Sequence, residues 1–85
     1  MIYPKQKGVQ ERLDRFRKRG LTIPSDAVGQ HYRTYCYAKS PYATGMVCTR
    51  LKGHVCSLHV GTYNNSGSLE DSNIADLWGF VGEEG

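Results

Sequence analysis

The sequence predicts a small α+β domain in which a basic amphipathic helix near the N-terminus is followed by an antiparallel β-sheet. Two patterns lead to this prediction: one segment has helical periodicity, and several short segments rich in aromatic and β-branched residues are separated by turn residues. The chain has 85 residues, and a domain of this size seldom gains more than about 3–5 kcal/mol from its core. We therefore expect a further source of stability, and a bound metal ion is the candidate.

The helix is predicted from Lys5 to Arg19. The apolar residues that recur there at helical spacing are Val9, Leu13 and Phe16. They would form one apolar stripe, while basic residues occupy the remaining surface. Gly20 and Pro24 then end the helix and prevent its continuation. We interpret residues 1–30 as the basic helix with a linker, and residues 31–85 as a β module with an acidic tail.

The β module contains four segments of strand-like composition. They are His31–Tyr37, Met46–Thr49, Ser57–Tyr63 and Ile74–Val81. The first two are separated by turn residues and are predicted to pair as a hairpin, so the expected sheet has three or four strands. The fourth segment also fits a helical stripe, but Gly79, Gly82 and its short length favour a strand.

Charge is distributed unevenly along the chain, although the formal net charge is only +3. Residues 1–20 carry seven basic and two acidic residues, whereas residues 61–85 carry five acidic residues and no basic ones. This separation indicates either a polyanionic or acidic partner for the basic part, or attraction between the two parts within the fold. The sequence does not decide between them.

The cysteine count and the hydropathy pattern indicate a compartment. No apolar run approaches the ~18–20 residues that cross a bilayer, and Met1–Lys5 is not followed by a hydrophobic signal core. The three cysteines are an odd number, so a closed disulfide framework would leave one thiol unpaired. We therefore expect a reducing cytoplasm, where such cysteines more often bind metal or stay free than pair.

The candidate metal ligands are Cys36, Cys48, His54 and His59. Two thiolates and two imidazoles match the ligand preference of zinc and complete a tetrahedral sphere, which is typical of a structural site. Two alternatives stay open. Cys56 could replace either histidine as a ligand, or the cysteines and histidines could belong to an ordinary core without metal.

Three stretches, 36–42, 48–54 and His59-Val60, resemble a pattern in small proteins of actinobacteria and their phages. That pattern has a Cys, a Ser-Pro-Tyr-like turn, a second Cys followed by Thr, a Gly-His pair, a further His and a terminal strand with Trp, here Trp78. The resemblance covers roughly half of the chain and implies a Cys2His2 metal knuckle on a small β-sheet, mostly in proteins of unassigned function. Cys56 departs from the pattern, in which a small or polar residue is more usual.

The positions of His59, Gly67, Asn73 and Ile74 are also similar to part of the HNH nuclease motif. In that family an acidic residue or histidine neighbours the first His, and another His follows the Asn. Here the neighbour is Leu58 and no histidine follows Asn73, so a metal that activates water would have too few ligands. The sequence also has no Gly-rich phosphate loop, and we expect neither catalysis nor a small-molecule substrate.

These observations predict a small phage-type regulatory adaptor that binds a host protein of the transcription or replication machinery in the host cytoplasm. The predicted partner-binding residues are Arg12, Leu13, Arg15, Phe16 and Arg19. The alternative is a zinc protein whose basic helix lies along nucleic-acid phosphates. The acidic tail and the small net charge favour the protein partner. The arginines could also belong to an ordinary helix face that is exposed to solvent. The tyrosines of residues 32–42 could stack on bases or anchor an interface.

Overall fold

The computed structural model describes residues 8–55 and 57–81, and in these residues it shows one α-helix and one two-stranded antiparallel sheet. Helix α1 is Val9–Lys18, strand β1 is His59–Thr62 and strand β2 is Ile74–Trp78. Three short 3-10 helices lie in the connections: Ser25–Ala27, Tyr32–Thr34 and Asp71–Asn73. The predicted α+β class is confirmed.

Helix α1 forms where the apolar periodicity predicted it. Val9, Leu13 and Phe16 are buried on one side. The helix ends at Lys18, and Gly20 follows with a left-handed φ of 78°. Gly8 has a left-handed φ of 85° and directly precedes the helix. Residues 5–7, where the predicted helix begins, lie outside the described residues. None of the helices in the described ranges has the length and the apolar character needed to cross a membrane.

The two faces of the sheet contact different parts of the molecule. Val60 pairs with Leu77, and His59 pairs with Trp78. Because side chains alternate along a strand, the two pairs lie on opposite faces. The face of Val60 packs on α1 and the core, whose buried residues are Leu13, Phe16, Ala27, Leu58, Val60, Ile74, Leu77 and Phe80. The His59 face is covered by the segment that precedes β1.

Residues 34–52, called the hairpin below, form that covering segment. Its two arms are joined by five backbone hydrogen bonds, among them Cys36 N–H to the Arg50 carbonyl and Cys48 N–H to the Ala38 carbonyl, each 2.8 Å. A Cβ at Gly61 would lie 2.6 Å from Met46 Sδ, so the hairpin packs directly on β1. Only isolated bridges form within it, between Tyr35 and Leu51 and between Lys39 and Val47.

The prediction of a regular strand over His31–Tyr37 is therefore wrong, and Met46–Thr49 does not form one either. Residues 32–34 turn as a 3-10 helix because His31 Nδ1 accepts the Arg33 N–H and Thr34 Oγ1 donates to the His31 carbonyl. Such local hydrogen bonds compete with strand pairing. Tyr37 then adopts a left-handed φ of 63°, which interrupts the ladder. The other two predicted strands are confirmed with shorter bounds.

The basic and acidic parts of the chain meet inside the fold. Arg12 of α1 forms a buried ion pair with Asp76 of β2, and Asp76 Oδ2 also accepts the Ser40 hydroxyl of the hairpin at 2.6 Å. On the surface, Arg17 Nη2 lies 2.6 Å from Asp71 Oδ1. Attraction within the fold thus accounts for part of the charge separation seen in the sequence.

Candidate metal centre

Cys36, Cys48, His54 and His59 come together at one end of the sheet. Their ligand atoms all lie within 4.8 Å of one another. Cys36 Sγ is 3.7 Å from His59 Nδ1, and Cys48 Sγ is 3.8 Å from His54 Nε2. Tetrahedral zinc with the usual bond lengths of about 2.0–2.3 Å places its ligand atoms about 3.3–3.8 Å apart. The cluster can therefore hold a metal ion with only small movements.

Each ligand is positioned by a specific local structure. Cys36 and Cys48 lie on opposite arms of the hairpin, where its backbone hydrogen bonds hold them side by side. His54 follows a turn closed by its own N–H, which donates to the Leu51 carbonyl at 3.1 Å. That turn requires a left-handed residue, supplied by Gly53 with φ 86°. His59 is the first residue of β1, so a bound metal would join the hairpin to the sheet.

The His59 ring is held by two aromatic neighbours. It stacks on Trp78, its partner across the sheet, with 5.6 Å between ring centroids and 26° between planes. The His54 ring meets it edge-on at 5.1 Å. These contacts orient the imidazole and shield it from water.

Burial determines the protonation of two of the ligands. Burial raises the pKa of the Cys48 thiol to about 11, although hydrogen bonds from the Arg50 and Val60 backbone act in the opposite direction. For His59, burial lowers the pKa, and the nearby His54 and Arg50 lower it further. The neutral imidazole is the form that binds metal. Cys48, in contrast, keeps its proton at neutral pH until a cation displaces it.

The donor set determines what chemistry the site can support. Two sulfur and two nitrogen donors complete a tetrahedral sphere, whereas a catalytic zinc site has three protein ligands and one open position for water. The arrangement is suited to holding segments of the chain together. Cys56, the alternative ligand, lies outside the described residues.

The structure divides the five predicted partner-binding residues. Arg12, Leu13 and Phe16 are almost fully buried, with 5%, 0% and 1% of their surfaces exposed. Leu13 and Phe16 belong to the core and Arg12 pairs with Asp76, so these three do not fit the prediction that they contact a partner. Arg15 is half-buried and Arg19 is exposed.

Sequence reasoning missed Arg50, which joins the hairpin with its candidate ligands to two other regions. Its Nε donates to Asp26 Oδ1 at 2.9 Å, and its Nη1 donates to the Leu58 carbonyl at 2.7 Å. A signal was present in the sequence, since Asp26 is the only acidic residue between positions 15 and 69. An isolated acid among many basic residues indicates a specific ion pair.

No protein-family model, no curated protein and no solved structure matches this chain. The similarity to small actinobacterial and phage proteins therefore stays a prediction, and function is inferred from the residues themselves.

Proposed function

We propose that the chain binds one Zn²⁺ ion through Cys36, Cys48, His54 and His59 and that this ion is structural. The observation that supports the proposal is the convergence of two sulfur and two nitrogen donors within 4.8 Å. Among common biological cations, zinc combines a preference for this donor set with tetrahedral geometry. A full set of four protein ligands also favours a non-catalytic role.

The zinc would supply stability that the hairpin does not obtain from apolar burial. Among hairpin residues only Ala43, Cys48, Thr49 and Arg50 are buried, and most of these are small or polar. Zinc-binding free energy becomes folding free energy when the site does not exist in the unfolded chain. The metal would therefore fix the shape of the hairpin and its position on β1.

We also propose that the chain is a small adaptor that binds another macromolecule. The four candidate ligands would leave no open position on a zinc ion, which supports a non-catalytic role. The phage-type origin, the cytoplasmic location and the host-protein partner stay predictions. Because Leu13 and Phe16 are enclosed in the core, a binding surface on the helix would consist of its exposed basic residues.

Elemental analysis of purified protein tests the zinc proposal. We expect one zinc per chain, lost in Cys48→Ser and His59→Ala and retained in His31→Ala, which removes a histidine outside the cluster. A folded, metal-free wild-type protein would contradict the proposal. If Cys56→Ser loses zinc and His59→Ala retains it, the fourth ligand is Cys56 instead of His59.

A further inference from the structure

An open groove of about 580 Å³ lies beside the hairpin. Its walls combine aromatic rings with amide side chains: Gln30, His31, Tyr32, Tyr35, Asn64 and Asn65. Because the groove is open, a ligand there would be contacted on one face and one edge rather than enclosed. None of these residues is used by the metal site or the apolar core.

The aromatic wall presents flat surfaces to solvent. The His31 and Tyr32 rings lie against each other with 4.4 Å between centroids. Tyr32 keeps 55% of its surface exposed, so its ring is accessible to a ligand. A planar ligand that stacks on these rings would remove that surface from water.

The amide wall offers one donor and one acceptor at fixed positions. Asn65 Nδ2 donates inward to the Ala27 carbonyl at 3.0 Å. Asn64 Oδ1 accepts the Ser66 N–H and hydroxyl at 3.1 and 2.7 Å. Within the described ranges, Asn65 Oδ1 and Asn64 Nδ2 make no hydrogen bond. The edge of a nucleobase presents the complementary donors and acceptors.

The charge around the groove is suited to a polyanion. No Asp or Glu occurs between Ala27 and Leu69. The Arg33 guanidinium lies over the Tyr32 ring, 5.6 Å from its centroid, and Lys52 is exposed on the neighbouring hairpin arm. Zinc with two thiolates and two neutral imidazoles would carry no net charge, so it would not offset these basic groups.

We propose that this groove binds an unstacked base of single-stranded nucleic acid. The base stacks on the exposed outer face of the Tyr32–His31 ring pair, and the free amide groups of Asn64 and Asn65 contact its edge. Arg33, whose Nε donates to the Tyr32 hydroxyl at 3.3 Å, lies at the rim of this face and contacts a flanking phosphate together with Lys52. A duplex does not present its bases in this way. The carboxylates of an acidic peptide would pair with Arg33 and Lys52 but offer no planar face to the Tyr32 ring. The proposal rests on the proposed function, because ligation of Cys36 fixes the segment that carries the aromatic wall.

Fluorescence anisotropy with the zinc-loaded full chain tests this binding. The probes are fluorescein-labelled oligothymidylate and oligouridylate of about 12 nucleotides, with a duplex of the same length as comparison, at about 150 mM salt. We expect micromolar binding to a single strand and weaker binding to the duplex. A third probe, oligodeoxyuridylate, differs from oligouridylate only in the 2′-hydroxyl. A preference for oligouridylate over this probe would identify RNA as the source, and the reverse preference would identify DNA.

Two pairs of variants separate the groove from general charge attraction. Tyr32→Ala is expected to weaken binding at least about fivefold, and Tyr32→Phe to keep it, because loss of a stacking ring costs about 1–3 kcal/mol. Tyr42→Ala is the control, since Tyr42 is exposed but does not line the groove. The Tyr42 ring lies over the Arg12 guanidinium at 3.8 Å, so circular dichroism is used to check that this variant is folded. Arg33→Gln is expected to weaken binding more than Arg19→Gln.

Several results would overturn the proposal. A zinc-loaded sample that binds no oligonucleotide would do so, as would equal affinity for the duplex and the single strand. So would an equal loss of affinity in Tyr32→Ala and Tyr42→Ala, or in Arg33→Gln and Arg19→Gln. A Tyr32-dependent protein complex that survives nuclease, with no oligonucleotide binding, would assign the groove to a protein instead. Zinc content is measured on each sample, so a folded, zinc-free protein that still binds the oligonucleotide would contradict the proposed function rather than the groove.

Discussion

The two parts of this molecule are stabilised in different ways. The helix–sheet part, consisting of α1 and residues 58–80, buries a continuous apolar cluster in which the Phe16 and Phe80 rings meet edge-to-face at 5.3 Å. The hairpin buries few apolar side chains and is joined to the sheet by polar contacts: the Thr49 N–H donates to the Val60 carbonyl at 2.8 Å, and Ser40 and Arg50 add hydrogen bonds. The candidate metal ligands lie at the same junction. The chain thus places its limited apolar content in one part and polar contacts with a candidate metal site in the other.

Removal of zinc should distinguish the two parts most clearly. Structural zinc contributes roughly 10–16 kcal/mol in zinc-finger peptides, against about 3–5 kcal/mol from a core of this size. After treatment with a chelator, we expect the Cys36 and Cys48 amides to lose protection from hydrogen exchange, while the amides of α1 stay protected. NMR of the loaded, stripped and reloaded protein measures this. Equal loss of protection in both parts would show that they form one cooperative unit.

The ion pair at the junction of the two parts should have the next largest effect. Asp76 is fully buried and contacts both Arg12 and Ser40. Asp76→Asn would leave the Arg12 charge buried without a counter-ion and should lower the free energy of unfolding by about 3–5 kcal/mol. Urea denaturation measures the change.

The matched control for this experiment is Asp71→Asn, which removes the exposed partner of Arg17. A surface pair of this kind contributes about 0–1 kcal/mol. If the two variants had equal stability, the junction between helix, sheet and hairpin would not depend on the buried pair.

Zinc affinity should rise with pH, and we expect this effect to be smaller than the two effects described above. Burial raises the pKa of Cys48 to about 11, so below that pH zinc must displace the thiol proton, and binding strengthens as pH rises. Burial lowers the pKa of His59, so this ligand is neutral above its ordinary pKa of about 6.5 and loses its ability to bind only as pH falls below that value.

Loss of at least one proton on binding predicts that affinity rises at least about tenfold per unit between about pH 6 and 8. Competition with a chromogenic chelator, corrected for its own protonation, measures this. An affinity that does not change over this range would contradict the burial of Cys48 as a protonated thiol. The helix–sheet part should keep its circular dichroism over the same range.

Helix α1 was predictable from its apolar spacing, because burial of one face of a helix fixes that periodicity. Strands β1 and β2 lie within segments that were predicted from composition and, for β2, from its glycines and short length. All five residues of β2 are buried, so alternation gave no signal there. The grouping of the four candidate ligands was also predicted, and the structure brings them together. Cys56 also lies within residues 36–59, so spacing alone did not decide between it and the histidines.

The hairpin was harder to predict because its conformation depends on individual polar contacts. Composition favoured a strand over His31–Tyr37, but two hydrogen bonds at His31 and the left-handed Tyr37 overrode that preference. Arg12 occupies a position on the apolar side of α1. A basic residue there requires a buried acid, and Asp76 is the acidic residue within the strand that packs on α1. That pairing could have been inferred from the sequence.

The buried ion pair has a consequence for association between molecules. Leu77 lies in the middle of β2, and its two backbone polar groups point away from β1. Its N–H donates to Asp76 Oδ1 at 2.8 Å, and its carbonyl accepts Arg12 Nε at 3.2 Å. An open strand edge is a template for pairing with another chain. Here side chains of the same molecule occupy that edge, so a concentrated solution of the folded protein should resist growth by strand addition.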